Sequence, residues 1–203
     1  MPTLADERAR AEVSELGARL KSMRTERGWT QDDVASRAGL SKSYLSRIEE
    51  GDRQPSVAAL LSISTAFGIS INALFGGESE PSHSTRSCGI VRAGDEADRL
   101  GNGLYYRPLL GADRVSNLQP VYLTVPADRP GDELYRHEGE EWLYVIKGGL
   151  SLILANEVVE LHAGDAAHFD ASVPHRLTAL NGVDAEIVLV ACALPRKLLS
   201  SYL

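Results

Sequence analysis

The chain predicts a two-domain α+β multidomain protein, with an all-α N-terminal unit of five helices and an all-β C-terminal unit arranged as a sandwich or barrel. Apolar residues recur at helical spacing from Val13 to Phe75, then come in short runs separated by Gly, Pro, Asn and Asp from Cys88 onward. Between these regions, Gly76 to Ser87 carries almost no apolar side chain, which is the composition of a linker. The length of 203 residues exceeds one small domain and falls short of two large ones. The expected division is residues 1–76, a linker at 77–87, and residues 88–203.

Composition narrows the function class. With 43% hydrophobic and 24% charged residues, the chain can build packed cores, which excludes global disorder. No uncharged apolar run reaches the length of a membrane span, and Met1 to Arg10 lacks the apolar stretch of a signal peptide, so a cytoplasmic protein without a membrane partner is expected. Cys88 and Cys192 stand alone, outside any CxxC pattern, which argues against a disulfide framework or a cysteine zinc cluster and for small buried side chains. The net charge of -7 is uneven. Residues 1–76 carry ten Lys/Arg against ten Asp/Glu, so the whole acidic excess lies beyond them. An acidic C-terminal half is a poor general nucleic-acid binder, whereas a neutral N-terminal half with clustered cations can face phosphate on one side.

The helices follow in order. Val13, Leu16, Leu20 and Met23 form one stripe that ends at Gly28. Thr30 with Asp33 reads as a carboxylate variant of the capping box, opening a second helix through Val34, Ala35 and Ala38. Gly39 breaks it. Ser41 caps a third helix that buries Leu45 and Ile48 and leaves Lys42, Ser43, Tyr44, Ser46 and Arg47 on exposed faces. Ser56 opens a fourth helix with Val57, Leu60, Leu61 and Phe67, and Ser70 a short fifth with Ile71, Leu74 and Phe75.

The tight turn Ala38-Gly39-Leu40-Ser41 between two short helices is the layout in which the second helix can enter a DNA major groove. The groove would meet Ser41, Lys42, Ser43 and Tyr44, with Arg47 one turn later. Cationic side chains can reach guanine O6 and N7, and hydroxyls can serve bases or phosphates. Gln31 starts the second helix, where free backbone N–H groups and its amide could anchor a phosphate. On spacing alone, a helical bundle with merely solvated polar residues fits as well. The series Thr30-Gln31, Val34-Ala35, Gly39-Leu40-Ser41, Leu45-Ser46-Arg47-Ile48-Glu49 and Gly51, with Pro55 and Leu60 beyond, resembles the XRE-type (Cro/repressor-like) helix-turn-helix over Leu16 to Phe75. That resemblance implies that the third helix is the recognition helix and that Gln31 touches the sugar-phosphate backbone. It also implies a structural Glu49, fixing the helix end with Arg24 or Arg53.

The strands follow in turn: Leu104 to Leu109, Val121 to Val125, Glu141 to Ile146, Leu150 to Leu154, Val158 to Leu161, Ala166 to Phe169 and Ile187 to Ala191. Pro130-Gly131, Gly148-Gly149, Ala155-Asn156-Glu157, Gly164-Asp165 and Asn181-Gly182 supply the turns. So many short strands point to a sandwich or small barrel, whose interior is a natural ligand pocket. His137, Glu141 and His175 could converge there as two imidazoles and a carboxylate, the minimal set for a divalent iron, manganese, nickel or zinc ion. The alternative is a surface His137, a solvated Glu141 and a turn His175.

Gly131 to Gly148, containing His137-Glu138-Gly139-Glu140-Glu141-Trp142, resembles the first cupin motif, and Gly164-Asp165 through Val173-Pro174-His175 the second. The resemblance implies a double-stranded β-helix (cupin) barrel whose metal ligands would be His137, Glu141 and His175. The family usually has a further His two positions before the one matched by His137, and this sequence has Tyr135. A phenol is a weak ligand at neutral pH, so the expected site has three ligands or none, with small molecules held by hydrogen bonds. His168 and Arg176 join Tyr135 as candidate pocket residues; a core role for His168 and a surface ion pair for Arg176 are the alternatives. Trp142 and Tyr144 read as packing or a dimer face.

Two functions compete at this point. In the first, a homodimer reads a double-stranded DNA operator and the acidic barrel senses a small molecule or metal, so the chain is a regulator with no catalytic residues. Two copies are expected because one short helix makes too few base contacts, so half-sites about 34 Å apart are read together. In the second, the chain is an enzyme: a helical module followed by a cupin with His, Glu and His resembles the iron-dependent hydroxypropylphosphonic acid epoxidases. The exposed Lys42, Ser43 and Arg47, for which an epoxidase has no need, favour regulation.

Overall fold

The computed structural model describes residues 4–76, 89–94, 97–101, 103–111, 118–129 and 131–192, with side chains from Val13 onward. The expected linker at 77–87 and Cys88 lie outside these residues.

Helix α1 (Leu4–Glu26) runs into Gly28, whose positive φ of 67° turns the chain toward Trp29. The predicted capping box opens α2 (Gln31–Ala38): the Asp33 backbone N–H donates to Thr30 Oγ1 at 3.1 Å, and the Thr30 N–H donates to Asp33 Oδ2 at 2.7 Å. Gly39 ends α2 in the left-handed region. Ser41 caps α3 (Lys42–Glu49), and Ser56 caps α4 (Val57–Phe67) through the Ala59 N–H. Leu16 and Leu20 of α1, Val34 of α2, Leu45 and Ile48 of α3, and Leu60 and Ile63 of α4 share one buried core.

The fifth helix is a correction. Asn72–Phe75 forms a single 3-10 turn rather than an α-helix, so the N-terminal unit has four α-helices among the described residues. Gly76 takes a φ of 82° right after Phe75, leaving too few residues to close an i to i−4 ladder. The turn is still fixed in place, because Arg19 Nε donates to the Ala73 carbonyl at 3.1 Å.

The C-terminal unit contains only antiparallel pairs among its described strands. Strands β1 (Arg99–Gly101), β2 (Leu104–Pro108), β3 (Leu118–Val125), β4 (Glu140–Lys147), β7 (Ala166–Asp170) and β9 (Ala185–Cys192) form a six-stranded sheet in the order β1-β2-β3-β9-β4-β7. Strands β5 (Gly149–Leu154), β6 (Glu157–His162) and β8 (His175–Ala179) form a three-stranded sheet in the order β6-β5-β8. Alternation along β4 turns Glu141, Leu143 and Val145 inward and Trp142, Tyr144 and Ile146 outward. Inward side chains of both sheets, including Val121, Leu143, Leu150, Leu152, Leu177 and Ile187, are buried together. The arrangement is consistent with a cupin. All seven predicted strand segments are present, and β1 and β8 are additional. Cys192 is half-buried at the end of β9.

The two units touch. Gln54 Nε2 donates to the Leu100 carbonyl at 2.8 Å, and Asn72 Nδ2 donates to the Leu110 carbonyl at 3.3 Å. Arg53 pairs with Glu133 at 3.0 Å. Gly101 sits against Val57, where a Cβ would lie 3.3 Å from the valine methyl.

Candidate DNA-reading helix and candidate metal centre

Helix α3 is held from beneath by a charge pair at its C-terminal end. Arg24 of α1 donates through Nε to Glu49 Oε1 at 2.6 Å and through Nη2 to Oε2 at 2.9 Å, a two-pronged grip on a buried carboxylate. Arg24 Nη1 also donates to the Trp29 carbonyl at 3.0 Å, and Gln31 Nε2 to Glu49 Oε2 at 2.9 Å. The guanidinium pKa is raised by its hydrogen bonds to Glu49, against the smaller opposing effect of burial. Glu49 is thus the structural residue that the motif implies, with Arg24 as its partner, while Arg53 turns instead to Glu133.

The outer face of α3 is open. Ser41, Lys42, Ser43 and Arg47 are exposed, and Lys42 makes a water-exposed pair with Asp32 at 2.6 Å. Tyr44 differs from the expectation of a free side chain. It is half-buried, its hydroxyl accepts from the Ser56 backbone N–H at 3.2 Å, and Arg53 lies over its ring at 5.0 Å. Gln31 is half-buried and turned to Glu49.

In the sheet domain, the structure brings His137, Glu141 and His175 together. His137 lies in the loop before β4, Glu141 on the inward face of β4, and His175 at the start of β8. Backbone pairing brings these segments to one place. Tyr135 and His175 exchange N–H to carbonyl bonds at 2.8 Å each, and the His137 N–H donates to the Ala171 carbonyl at 2.9 Å. All three side chains are buried, with ligand atoms within 4.8 Å of one another. His137 Nε2 is 2.8 Å from Glu141 Oε1, and His175 Nε2 is 3.6 Å from Oε2.

The outer nitrogens define the chemistry. His137 Nδ1 bonds to the Glu138 carbonyl at 3.1 Å and His175 Nδ1 to the Val173 carbonyl at 2.9 Å. Because a carbonyl only accepts, each Nδ1 carries a proton and each Nε2 faces the shared carboxylate. Backbone anchors of this kind orient imidazoles for a divalent cation. Burial pulls the His137 pKa down, but its bonds to Glu141 and the Glu138 carbonyl outweigh that and leave it raised. The donor set therefore fits a metal, which on binding would displace the shared proton. Tyr135 is not one of the three, since its hydroxyl reaches Glu133 at 3.4 Å.

The remaining pocket candidates divide. Tyr135 and Arg176 line a narrow cavity of about 40 Å³ beside His175 and Glu141. Arg176 is 4% exposed and donates to the Glu133 carbonyl at 3.2 Å, so it is neither on the surface nor in a surface pair. His168 is a correction. It lies exposed on β7, opposite Trp142 across the ladder, and meets Glu140 at 3.2 Å. The β pleat turns it outward, away from both the pocket and the core. Trp142 and Tyr144 stack on this same outer face, with ring centroids 6.3 Å apart. Sequence reasoning missed Arg129 and Glu133, and the contacts of Arg53 and Ser56, which join distant segments and leave no periodic signal.

Comparison with known proteins matches two families to separate parts of the chain. The helix-turn-helix family HTH_3 matches residues 20–74, and the cupin-domain family Cupin_2 matches residues 121–191. This is a helix-turn-helix protein with a cupin domain. The helix-turn-helix is of the XRE type. The chain is 24% identical over 159 residues to the HTH-type transcriptional regulator PuuR of Escherichia coli (strain K12), covering 78% of this chain and 84% of PuuR. It is 28% identical over 162 residues to the HTH-type transcriptional regulator SutR of the same organism, covering 79% and 84%. The crystal structure of an HTH_3 family transcriptional regulator from Vibrio cholerae aligns with a TM-score of 0.61 at 24% identity, covering 93% of this chain and 99% of that one, which shows the shared fold of the helix-turn-helix cupin chain. Hydroxypropylphosphonic acid epoxidase from S. wedmorenis aligns at a TM-score of 0.48 and 21% identity over 89% of this chain and 98% of that one, too weak a likeness to carry an activity. No helix among the described residues is long and apolar enough to cross a membrane.

Proposed function

We propose that this helix-turn-helix cupin protein is a transcriptional regulator that binds double-stranded DNA through α3 and senses a small molecule or divalent metal through its cupin domain. The observation that carries the reading is the open polar face of α3, Ser41, Lys42, Ser43 and Arg47, on a helix clamped from behind by Arg24 and Glu49. A rigid helix with a free polar face is what groove reading requires. Similarity to PuuR and SutR over most of the chain supports the same reading. Arg47 contacts a base edge, Lys42 and Ser43 contact bases or phosphates, and Gln31 and Tyr44 fix the position of the helix. Two copies bind together, because one helix of 8 residues reads too few bases for useful selectivity.

His137, Glu141 and His175 hold the metal when one is bound, leaving its remaining positions open to an effector. The test is fluorescence anisotropy with the chain's own upstream DNA at two salt concentrations. Binding that weakens steeply with salt, and that loses about 1–3 kcal/mol together with base preference in Arg47→Ala, is expected. Equal losses on specific and random DNA would make Arg47 a phosphate contact. No binding at low salt, together with stoichiometric iron, would favour the enzyme.

A further inference from the structure

Two carboxylates stand in the first turn of α2, and only one of them serves the cap. Asp33 Oδ2 accepts from the Thr30 N–H and from the Thr30 hydroxyl, each at 2.7 Å. Asp32 turns instead toward α3, and its Oδ2 accepts from Lys42 Nζ at 2.6 Å. Lys42 is the first residue of α3, so this carboxylate sits beside the end of the helix that meets the groove. The frame around the pair is fixed: Thr30 and Ser41 cap the two helices, and Val34, Ala35, Leu45 and Ile48 bury their inner faces. Only the two side chains are left to move, and both are open to water, 58% exposed for Lys42 and 65% for Asp32.

A pair this exposed adds little to the stability of the free protein, because water screens it. Its consequences arise when a duplex covers it. Water leaves the interface, the attraction between ammonium and carboxylate strengthens, and a carboxylate without its partner becomes costly. Were Lys42 to swing out to a phosphate, Asp32 would be stranded against the polyanion. An ammonium has three N–H donors. With one on Asp32, two remain, and guanine presents two acceptors, O6 and N7, on its major-groove edge. Adenine presents a single acceptor, N7, next to an N6 donor that an ammonium cannot satisfy, and thymine presents only O4. Phosphates are the same at every position and carry no sequence information.

We propose that Asp32 determines the specificity of DNA binding: it holds the Lys42 ammonium toward the base edges, onto guanine O6 and N7, and keeps it off the phosphate backbone. This rests on the regulatory reading above and assigns Lys42 to a base rather than a phosphate. Asp32 touches no base itself and acts through Lys42, as a positioning residue. Its negative charge lowers the attraction of this surface for every duplex alike, since counterion release scales with the number of phosphates a protein neutralises. The guanine contact recovers that loss only where the base is present. Selectivity therefore comes as much from weakened binding to other sequences as from tighter binding to the right one.

The test is fluorescence anisotropy of the full chain on two labelled duplexes, its own upstream DNA and a random sequence of the same length, over a range of salt. In Asp32→Asn, affinity for the random duplex should rise about three- to ten-fold, and the slope of log K against log salt should steepen by about one, as Lys42 takes up a phosphate. Affinity for the upstream DNA should rise less or fall, so that the ratio of the two affinities drops at least about three-fold. In a Lys42→Met background, Asp32→Asn should leave the ratio where Lys42→Met alone puts it. A ratio unchanged by Asp32→Asn in the otherwise wild-type chain overturns the proposal, since the carboxylate is then a plain repelling charge or a support for the end of α2. A ratio that falls just as far without Lys42 overturns it too, because Asp32 would then meet a base itself. Asp32→Ser repeats the measurement should Asp32→Asn fail to fold. A wild type that binds both duplexes equally removes the regulatory reading and this proposal together, whereas a wild-type preference that survives Asp32→Asn intact removes this proposal alone.

Discussion

Replacing Glu49 with alanine removes the anchor beneath the recognition helix, and the structure permits its cost to be estimated. The Glu49 side chain is 2% exposed and that of Arg24 12%, with contacts of 2.6 Å between them. Deleting one partner of a buried pair costs about 3–5 kcal/mol, because the other charge stays behind without compensation. Arg24 reaches water at its edge and keeps its bond to the Trp29 carbonyl, which places the loss at the lower end, about 3 kcal/mol. With a urea m-value of about 1–3 kcal/mol/M, the midpoint of the helical domain should fall by roughly 1–3 M. Trp29 is the reporter, stacked on Phe67 at 5.5 Å with Arg37 over it at 4.5 Å; since the chain has two tryptophans, Trp142→Phe serves as the background. The double variant Arg24→Met with Glu49→Met should recover much of the loss, since no charge is then stranded. A single-variant loss below about 1 kcal/mol, or a double variant no more stable than Glu49→Ala, would refute the assignment of the clamp.

Three further outcomes follow from the geometry. His175→Ala should abolish stoichiometric uptake of divalent metal, read by elemental analysis after dialysis, while leaving the DNA affinity of the metal-free chain unchanged; retained metal would place the site elsewhere. The Thr30 hydroxyl and N–H hold the Asp33 pKa below the usual carboxylate range, so its contribution to stability is fully present above the unfolded-state value, about 3.9, and is lost as pH falls through the lower folded value. The urea midpoints of wild type and Asp33→Asn should therefore differ most near neutrality and converge in acid, and a gap that widens in acid would reverse the sign. Gly148→Ala should destabilise the cupin domain by about 1–3 kcal/mol in thermal unfolding, because Gly148 has a φ of 77° and a new Cβ would lie 2.6 Å from the Asp184 carbonyl oxygen. An unchanged transition would mean that the β4–β5 turn yields without cost.

Much of the fold was legible wherever the governing interaction spans a few residues. The Thr30–Asp33 box, the Ser41 and Ser56 caps and the glycine stops at 28 and 39 are contacts within one turn, so residue type alone announced them. The short run Glu141 to Ile146 likewise announced a strand, and the structure puts Glu141 on one face of it with Leu143 and Val145. The failures were local too. Ser70 did cap Ala73, yet the segment was too short before Gly76 to hold more than a 3-10 turn. His168 was misjudged because its motif position suggested a pocket, whereas ladder pairing with Trp142 turned it outward.

The sequence by itself determined where helices start and stop, which strand faces are apolar, and which residue types could read DNA or ligate a metal, because these depend on periodicity and on side-chain chemistry close along the chain. Only the tertiary structure decided that His137 and His175, on separate segments, meet at Glu141, and that Arg53 reaches Glu133 across 80 positions. It alone showed that the cavity beside the metal cluster has the first turn of α4 as a wall. The physical reason is that such contacts are set by how two independently patterned units pack, and packing leaves no repeat in either of them.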